Sequence, residues 1–207
     1  EGLIKTLFAV SSDETRPVLT GVLFIFKGKK LHLVATDGFR LSQKIINLEK
    51  EYEEQKIIVP KTILLEISKL TNDEDISFSF SKKDNQIIFV SGETILSSRV
   101  IEGEYPDFEK ILPKSSSLSV LVDKEDFEKA VKLASVFARD AGNILKLSIG
   151  KDILKVIAES SSIGNQETGL EAKVEKKSEF DEGVEISFNY RFIEELLRAI
   201  TSDDVLI

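Results

Sequence analysis

The sequence predicts an α+β fold built from two copies of one domain, each combining two helices with antiparallel sheets. Three observations point there. The first is an internal repeat: residues 21–37 (GVLFIFKGKKLHLVATD) match 143–160 (NILKLSIGKDILKVIAES), and 59–76 (VPKTILLEISKLTNDEDI) match 188–206 (FNYRFIEELLRAITSDDVL). The offset of about 122 to 130 residues is far longer than a solenoid unit, so it marks a duplicated domain. The second is the run of short apolar stretches separated by Gly, Asn, Asp and Ser turns, the mark of hairpins. The third is helical spacing of apolar residues between those stretches.

In order along the chain, residues 1–11 place Leu3, Ile4, Leu7 and Phe8 on one helical stripe. Strands are expected at 21–27, 31–36 and 39–46, with a Gly28–Lys29 turn, followed by a charged loop over 48–56 (LEKEYEEQK). A short strand at 56–59 leads through Pro60 into a helix over 61–70, because proline at a helix entry loses no hydrogen bond. Three strands follow at 76–80, 86–90 and 94–101, with SKKDNQ and SGET as turns. The second copy adds a strand at 118–122, whose counterpart is missing at the start of the first copy, and a helix over 124–139 follows it. The chain is therefore expected to be an interior fragment, with domains at 1–113 and 114–207 divided near the Pro- and Ser-rich LPKSSS.

Composition narrows the function. With 42% hydrophobic and 31% charged residues the chain can bury real cores. It has no Cys, which rules out disulfides, thiolate metal sites and a Cys nucleophile, and makes the cytoplasm the expected compartment. No run approaches the roughly 20 apolar residues of a membrane span. The single His32 sits in an alternating strand with no triad or zinc partners nearby, so neither a catalytic residue nor a metal or cofactor site is expected. A net charge of −8 runs against the basic footprint usual for nucleic-acid binders, although the potential over one face decides binding.

TRPVLTGVLF (15–24), VATDGFRLS (34–42), VPK (59–61) and GEYPDFEKILP (103–113) closely resemble the bacterial sliding-clamp family, the β subunits of DNA polymerase III. DFEKAVKLASVFARD and FNYRFIEELLRAI carry the likeness through the second copy. The resemblance implies the DNA clamp fold, with this chain corresponding to the middle domain and most of the third. It further implies a non-enzymatic processivity factor: two three-domain chains close head to tail around duplex DNA, inner helices facing the hole. The complete protein is then a homodimer and the fragment a monomer, with no membrane partner. The implied protein partners are the DNA polymerase III alpha subunit, the clamp loader and other proteins carrying a clamp-binding motif.

Residues follow from the same resemblance. A pocket for partner peptides is implied at Leu19, Thr36, Gly38, Phe39, Arg40, Leu41, Pro106, Lys110 and Ile111. Leu19, Leu41, Pro106 and Ile111 suit an apolar floor, and Thr36 and Arg40 can orient a peptide backbone or carboxylate. Phe39 and Lys110 depart from the best-known enterobacterial clamp, which implies a different peptide preference. Asp at position 19 or 41 is expected to spoil the pocket and spare the fold. Lys5, Lys61, Lys69, Lys129, Lys132, Arg139, Arg191 and Arg198 avoid the apolar stripes and are expected to face DNA, or else to form ordinary solvated ion pairs. Val136 and Phe137, with Glu159 and Glu167, are candidates for the subunit joint. The rival readings are a protein-interaction scaffold without DNA, and a small acidic metal-dependent hydrolase using Asp37 with Glu104 or Asp107.

Overall fold

A computed structural model describes residues 2–70, 75–176 and 183–207. The chain divides into two compact units, Glu1–Phe108 and Glu109–Ile207. Among the described residues every strand pairing is antiparallel, and each unit carries two neighbouring helices. Among the described residues, no helix is long and apolar enough to cross a membrane.

In the first unit the elements are α1 (Ile4–Leu7), β1 (Gly21–Thr36), β2 (Leu41–Pro60), α2 (Lys61–Lys69), β3 (Ser77–Ser81), β4 (Gln86–Ser91) and β5 (Thr94–Arg99). β1 is one strand whose halves pair with opposite ends of β2, Gly21–Phe26 against Gln55–Pro60 and Lys30–Thr36 against Leu41–Asn47. The Gly28–Lys29 turn expected from sequence is where that ladder slips: register shifts flank Gly28. Residues 48–56, expected as a charged loop, lie inside β2 instead. Strand pairing is a backbone interaction, so an exposed ribbon of Glu and Lys can extend a ladder without burying side chains.

The first helix is also shorter than its apolar stripe suggests. After Leu7, the Ala9 and Val10 amides reach back only three residues, to the Thr6 and Leu7 carbonyls, and the Ser11 amide donates to Leu19 O at 3.0 Å. The chain leaves the helix to meet a 3-10 turn, Pro17–Leu19. α2 keeps its expected place: Ile63, Leu64 and Ile67 are buried on one side, and Pro60 enters it at φ −57°. Residues 71–74, within the repeated 59–76 stretch, lie outside the described residues. The core joins Val22, Phe24, Phe26, Leu31 and Leu33 of β1 to Leu64 and Ile67 of α2 and Ile87 and Phe89 of β4. Beyond β5 the chain crosses back over β2, where the Ile101 amide donates to Ile58 O at 2.8 Å. This return delivers residues 103–106 to the end of β1.

The second unit contains β6 (Leu118–Asp123), α3 (Lys124–Ala138), β7 (Ile144–Ile149), β8 (Ile153–Ser160), β9 (Gly164–Glu171), β10 (Lys173–Lys176), β11 (Val184–Asn189), α4 (Tyr190–Ala199) and β12 (Asp204–Leu206). They form a four-stranded sheet, β11-β7-β8-β9, and a three-stranded sheet, β10-β6-β12. Here Gly150 sits in a true hairpin turn between β7 and β8. Both helices start on side-chain caps: Asp123 accepts from the Asp126 amide at 2.9 Å, and Asn189 from the Arg191 amide at 3.0 Å. Phe127, Val131 and Ala134 of α3 and Ile193 and Leu197 of α4 close over Leu145, Leu147, Leu154 and Val156.

Candidate peptide and nucleic-acid interfaces

The best-defined site lies in the first unit, at the turn joining β1 to β2. Asp37 builds it: one carboxylate oxygen accepts the Phe39 and Arg40 amides at 2.9 and 3.1 Å, the other the Arg40 Nε at 3.0 Å. Thr36 closes the turn from below, its hydroxyl donating to Arg40 O at 2.6 Å and accepting from the Gly38 amide at 3.1 Å. Gly38 has φ +95°, and a Cβ there would also lie 3.0 Å from the Arg16 guanidinium. Glycine is thus favoured by conformation, which other residues rarely adopt.

Arg40 turns inward. Its Nη2 donates to the Phe8 carbonyl at 2.8 Å, and its guanidinium carbon lies 5.5 Å from the Phe8 ring centre. Thr36 is buried and Arg40 half-buried, so both frame the turn from within. Their expected role of orienting a ligand's polar groups gives way to that of a scaffold. Asp37 is equally committed to the turn, which leaves the hydrolase reading without its proposed carboxylate. Among the described residues, no group of three or more His, Cys, Asp and Glu gathers to hold a metal ion.

Two further segments meet this turn. The 3-10 turn brings Leu19, which is buried, with Val18 beside it. Arg16 donates to the Asp37 carbonyl at 3.1 Å and pairs with Asp13 at 3.1 Å. The Tyr105 hydroxyl accepts the Thr36 amide at 3.1 Å, placing exposed Pro106 alongside. Burial pushes the Tyr105 phenol up to about 12, against the smaller opposing effect of the Thr36 bond, so it stays protonated. Val18 lies against the same return segment, for a Cβ on Gly103 would fall 2.6 Å from its Cγ1. Phe39 projects from the tip, 83% exposed, and Leu41 is half-buried at the start of β2.

The structure therefore brings together Leu19, Thr36, Gly38, Phe39, Arg40, Leu41 and Pro106. Lys110 and Ile111, both exposed, belong to the second unit. Sequence reasoning missed Arg16 and Tyr105. Arg16 lay within the TRPVLTGVLF motif, and Tyr105 stood next to Pro106, but nothing in their local pattern showed that they reach the turn.

The basic residues are less free than their spacing suggests. Lys69 pairs with Glu66 at 2.8 Å, Lys129 with Glu125 at 2.8 Å and Asp126 at 3.4 Å, Lys132 with Glu128 at 3.0 Å, and Arg198 with Glu194 at 3.7 Å. All are same-helix pairs three or four residues apart whose cations are exposed, so water screens them. The Glu125 bond holds the Lys129 ammonium above the usual lysine range, and the Lys132 bond holds the Glu128 carboxyl below the usual glutamate range. Arg139 caps the end of α3 and Arg191 lies in the first turn of α4. Both act on the Tyr190 hydroxyl, and the Arg191 hydrogen bond is the larger of their effects in holding it below the usual tyrosine range. Lys5 and Lys61 are half-buried on α1 and α2.

Val136 and Phe137 part company. Phe137 packs against the second unit's core, whereas Val136 is 52% exposed beside Leu133 at 54%. Glu159 and Glu167 are exposed on β8 and β9, and Glu167 pairs with Lys155 at 2.7 Å. β9 ends its sheet, so among the described residues one of its backbone edges has no strand beside it.

The family model of the DNA polymerase III beta subunit central domain matches residues 2–107, and that of its C-terminal domain matches 109–207. The beta sliding clamp of Staphylococcus aureus strain N315 is 36% identical over 207 residues, covering 98% of this chain and 53% of that protein. That of Staphylococcus epidermidis is 35% identical over 206 residues with the same coverage. The chain thus spans about half the length of the curated relatives it matches. Among solved structures, the DNA polymerase sliding clamp from Bacillus subtilis superposes with a TM-score of 0.89 at 28% identity, over 99% of this chain and 53% of that one. The beta subunit from the DNA polymerase of Streptococcus pyogenes gives 0.89 at 29%, over 99% and 54%. With two adjacent domain models of one family matched in order along nearly its whole length, the chain belongs to the DNA polymerase III beta subunit family.

Proposed function

We propose that this chain is the central and C-terminal part of a non-enzymatic sliding clamp, a homodimeric ring that encircles duplex DNA and tethers replication proteins to it. The observation that carries the reading is the convergence of Gly38, Phe39, Leu41 and Pro106 on one turn-built surface in the first unit. Its apolar members offer anchor sites for short peptides of the DNA polymerase III alpha subunit, the clamp loader and other clamp-binding proteins. Phe39, exposed at the tip of the turn, bears on which peptides that surface prefers. Tethering a polymerase to a ring replaces dissociation by rapid recapture, an effective-concentration effect that needs no chemistry from the ring.

The helices supply the DNA-facing side through Lys5, Lys61, Lys69, Lys129, Lys132, Arg139, Arg191 and Arg198. Same-helix carboxylates offset much of this charge, so phosphate contacts are weak and exchange readily, as sliding requires. The subunit joint uses Val136 with Leu133, the open edge of β9, and Glu159 and Glu167 at its rim. Salt titration of binding to a labelled linear duplex tests the DNA-facing side. Affinity should be low, insensitive to sequence and steeply reduced by salt. Binding that survives high ionic strength or favours one sequence would remove those helices from the interface.

A further inference from the structure

We propose that Tyr105 is a positioning residue for the peptide pocket: its hydroxyl holds the segment carrying Pro106 against the strand end from which the Gly38 turn springs. The inference rests on the peptide-binding reading above. Thr36 and Tyr105 lie 69 residues apart, yet the Thr36 amide donates to the phenol oxygen at 3.1 Å. Thr36 is the last residue of β1, paired with Leu41, so its backbone sets where the turn begins and where Leu41 emerges.

From Thr36 the bonds continue in sequence: its hydroxyl to the Gly38 amide and the Arg40 carbonyl, then the Arg40 guanidinium to Asp37 and to the Phe8 carbonyl of the α1 segment. Tyr105 is the far end of this chain. It is the link between the turn and the return segment, and it joins the two walls that present Leu41 and Pro106. The phenol keeps its proton at every working pH, so the link does not vary with pH.

A phenylalanine at 105 keeps the ring and its packing but leaves the Thr36 amide, in a part-buried place, without its acceptor. An orphaned donor of this kind is costly, and here the cost falls on the geometry of the pocket and not on either core. The turn and the Pro106 segment then hold their spacing less tightly, and a peptide that bridges them must restore it on binding.

The test compares the complete protein with its Tyr105→Phe variant, using a fluorescein-labelled peptide copied from the polymerase tail. Anisotropy should show binding about fivefold weaker or more in the variant. Hydrogen–deuterium exchange should become faster in residues 34–41 alone, with β7 and β8 unchanged. Affinity within twofold of the parent overturns the proposal while leaving the pocket intact. Loss of affinity with faster exchange throughout β1 and β2 also overturns it, because Tyr105 would then be a packing residue only. Failure of the parent protein to bind the peptide removes the pocket reading itself, and this proposal with it.

Discussion

Leu19→Asp in the complete protein is expected to unfold the first unit's site, lowering its stability by about 3–5 kcal/mol, the usual cost of a buried charge with no partner. Leu19 is 4% exposed, and its carbonyl takes the Ser11 amide where the chain leaves α1. Its side chain is buried, so the substitution strikes the fold before it reaches any ligand. This outcome differs from the sequence-based expectation that an aspartate here would spare the structure. Urea unfolding followed by intrinsic tyrosine fluorescence, together with exchange over β1, would measure it. An unchanged midpoint would mean that Leu19 is open to solvent, contrary to its burial.

Leu41→Asp should behave differently. Leu41 is half-buried at the first position of β2, and its ladder partner Thr36 is held by backbone and hydroxyl bonds that the substitution leaves alone. The folded state should persist, while the charge replaces an apolar contact on the surface where a peptide anchor would be buried. Burying one Leu or Phe anchor there contributes about 1.5–3 kcal/mol. Peptide affinity should therefore fall at least about tenfold, roughly 1.4 kcal/mol. Unchanged anisotropy of the polymerase-tail peptide, in a variant with parental exchange protection, would take Leu41 and this surface out of the account.

Much of the architecture was legible because each copy repeats the same local physics. The apolar stripes of α2 and α3 and the Pro60 entry to α2 all rest on neighbours within a few residues. What stayed hidden depends on distant partners. Residues 48–56 show no apolar alternation, and only the ladder with β1 makes them strand. The stripe of residues 1–11 looks like a helix, but the pull of Leu19 on the Ser11 amide ends it after four residues. Within the site, residue types suggested that Thr36 and Arg40 point outward. Their bonds to Gly38, Asp37 and Phe8 instead make them the frame. Val136 and Phe137 are adjacent and both apolar, so periodicity could not separate the surface residue from the core one.

Retention on DNA of defined topology tests the sliding-clamp reading most directly. The complete protein, assembled on a nicked circular duplex by its loader, should remain with the circle through gel filtration at physiological ionic strength. Cutting that circle once should release it, because weak, salt-sensitive phosphate contacts cannot hold a ring on a strand with free ends. Equal retention on circular and linear DNA, or none on either, would contradict a ring that holds DNA by enclosing it.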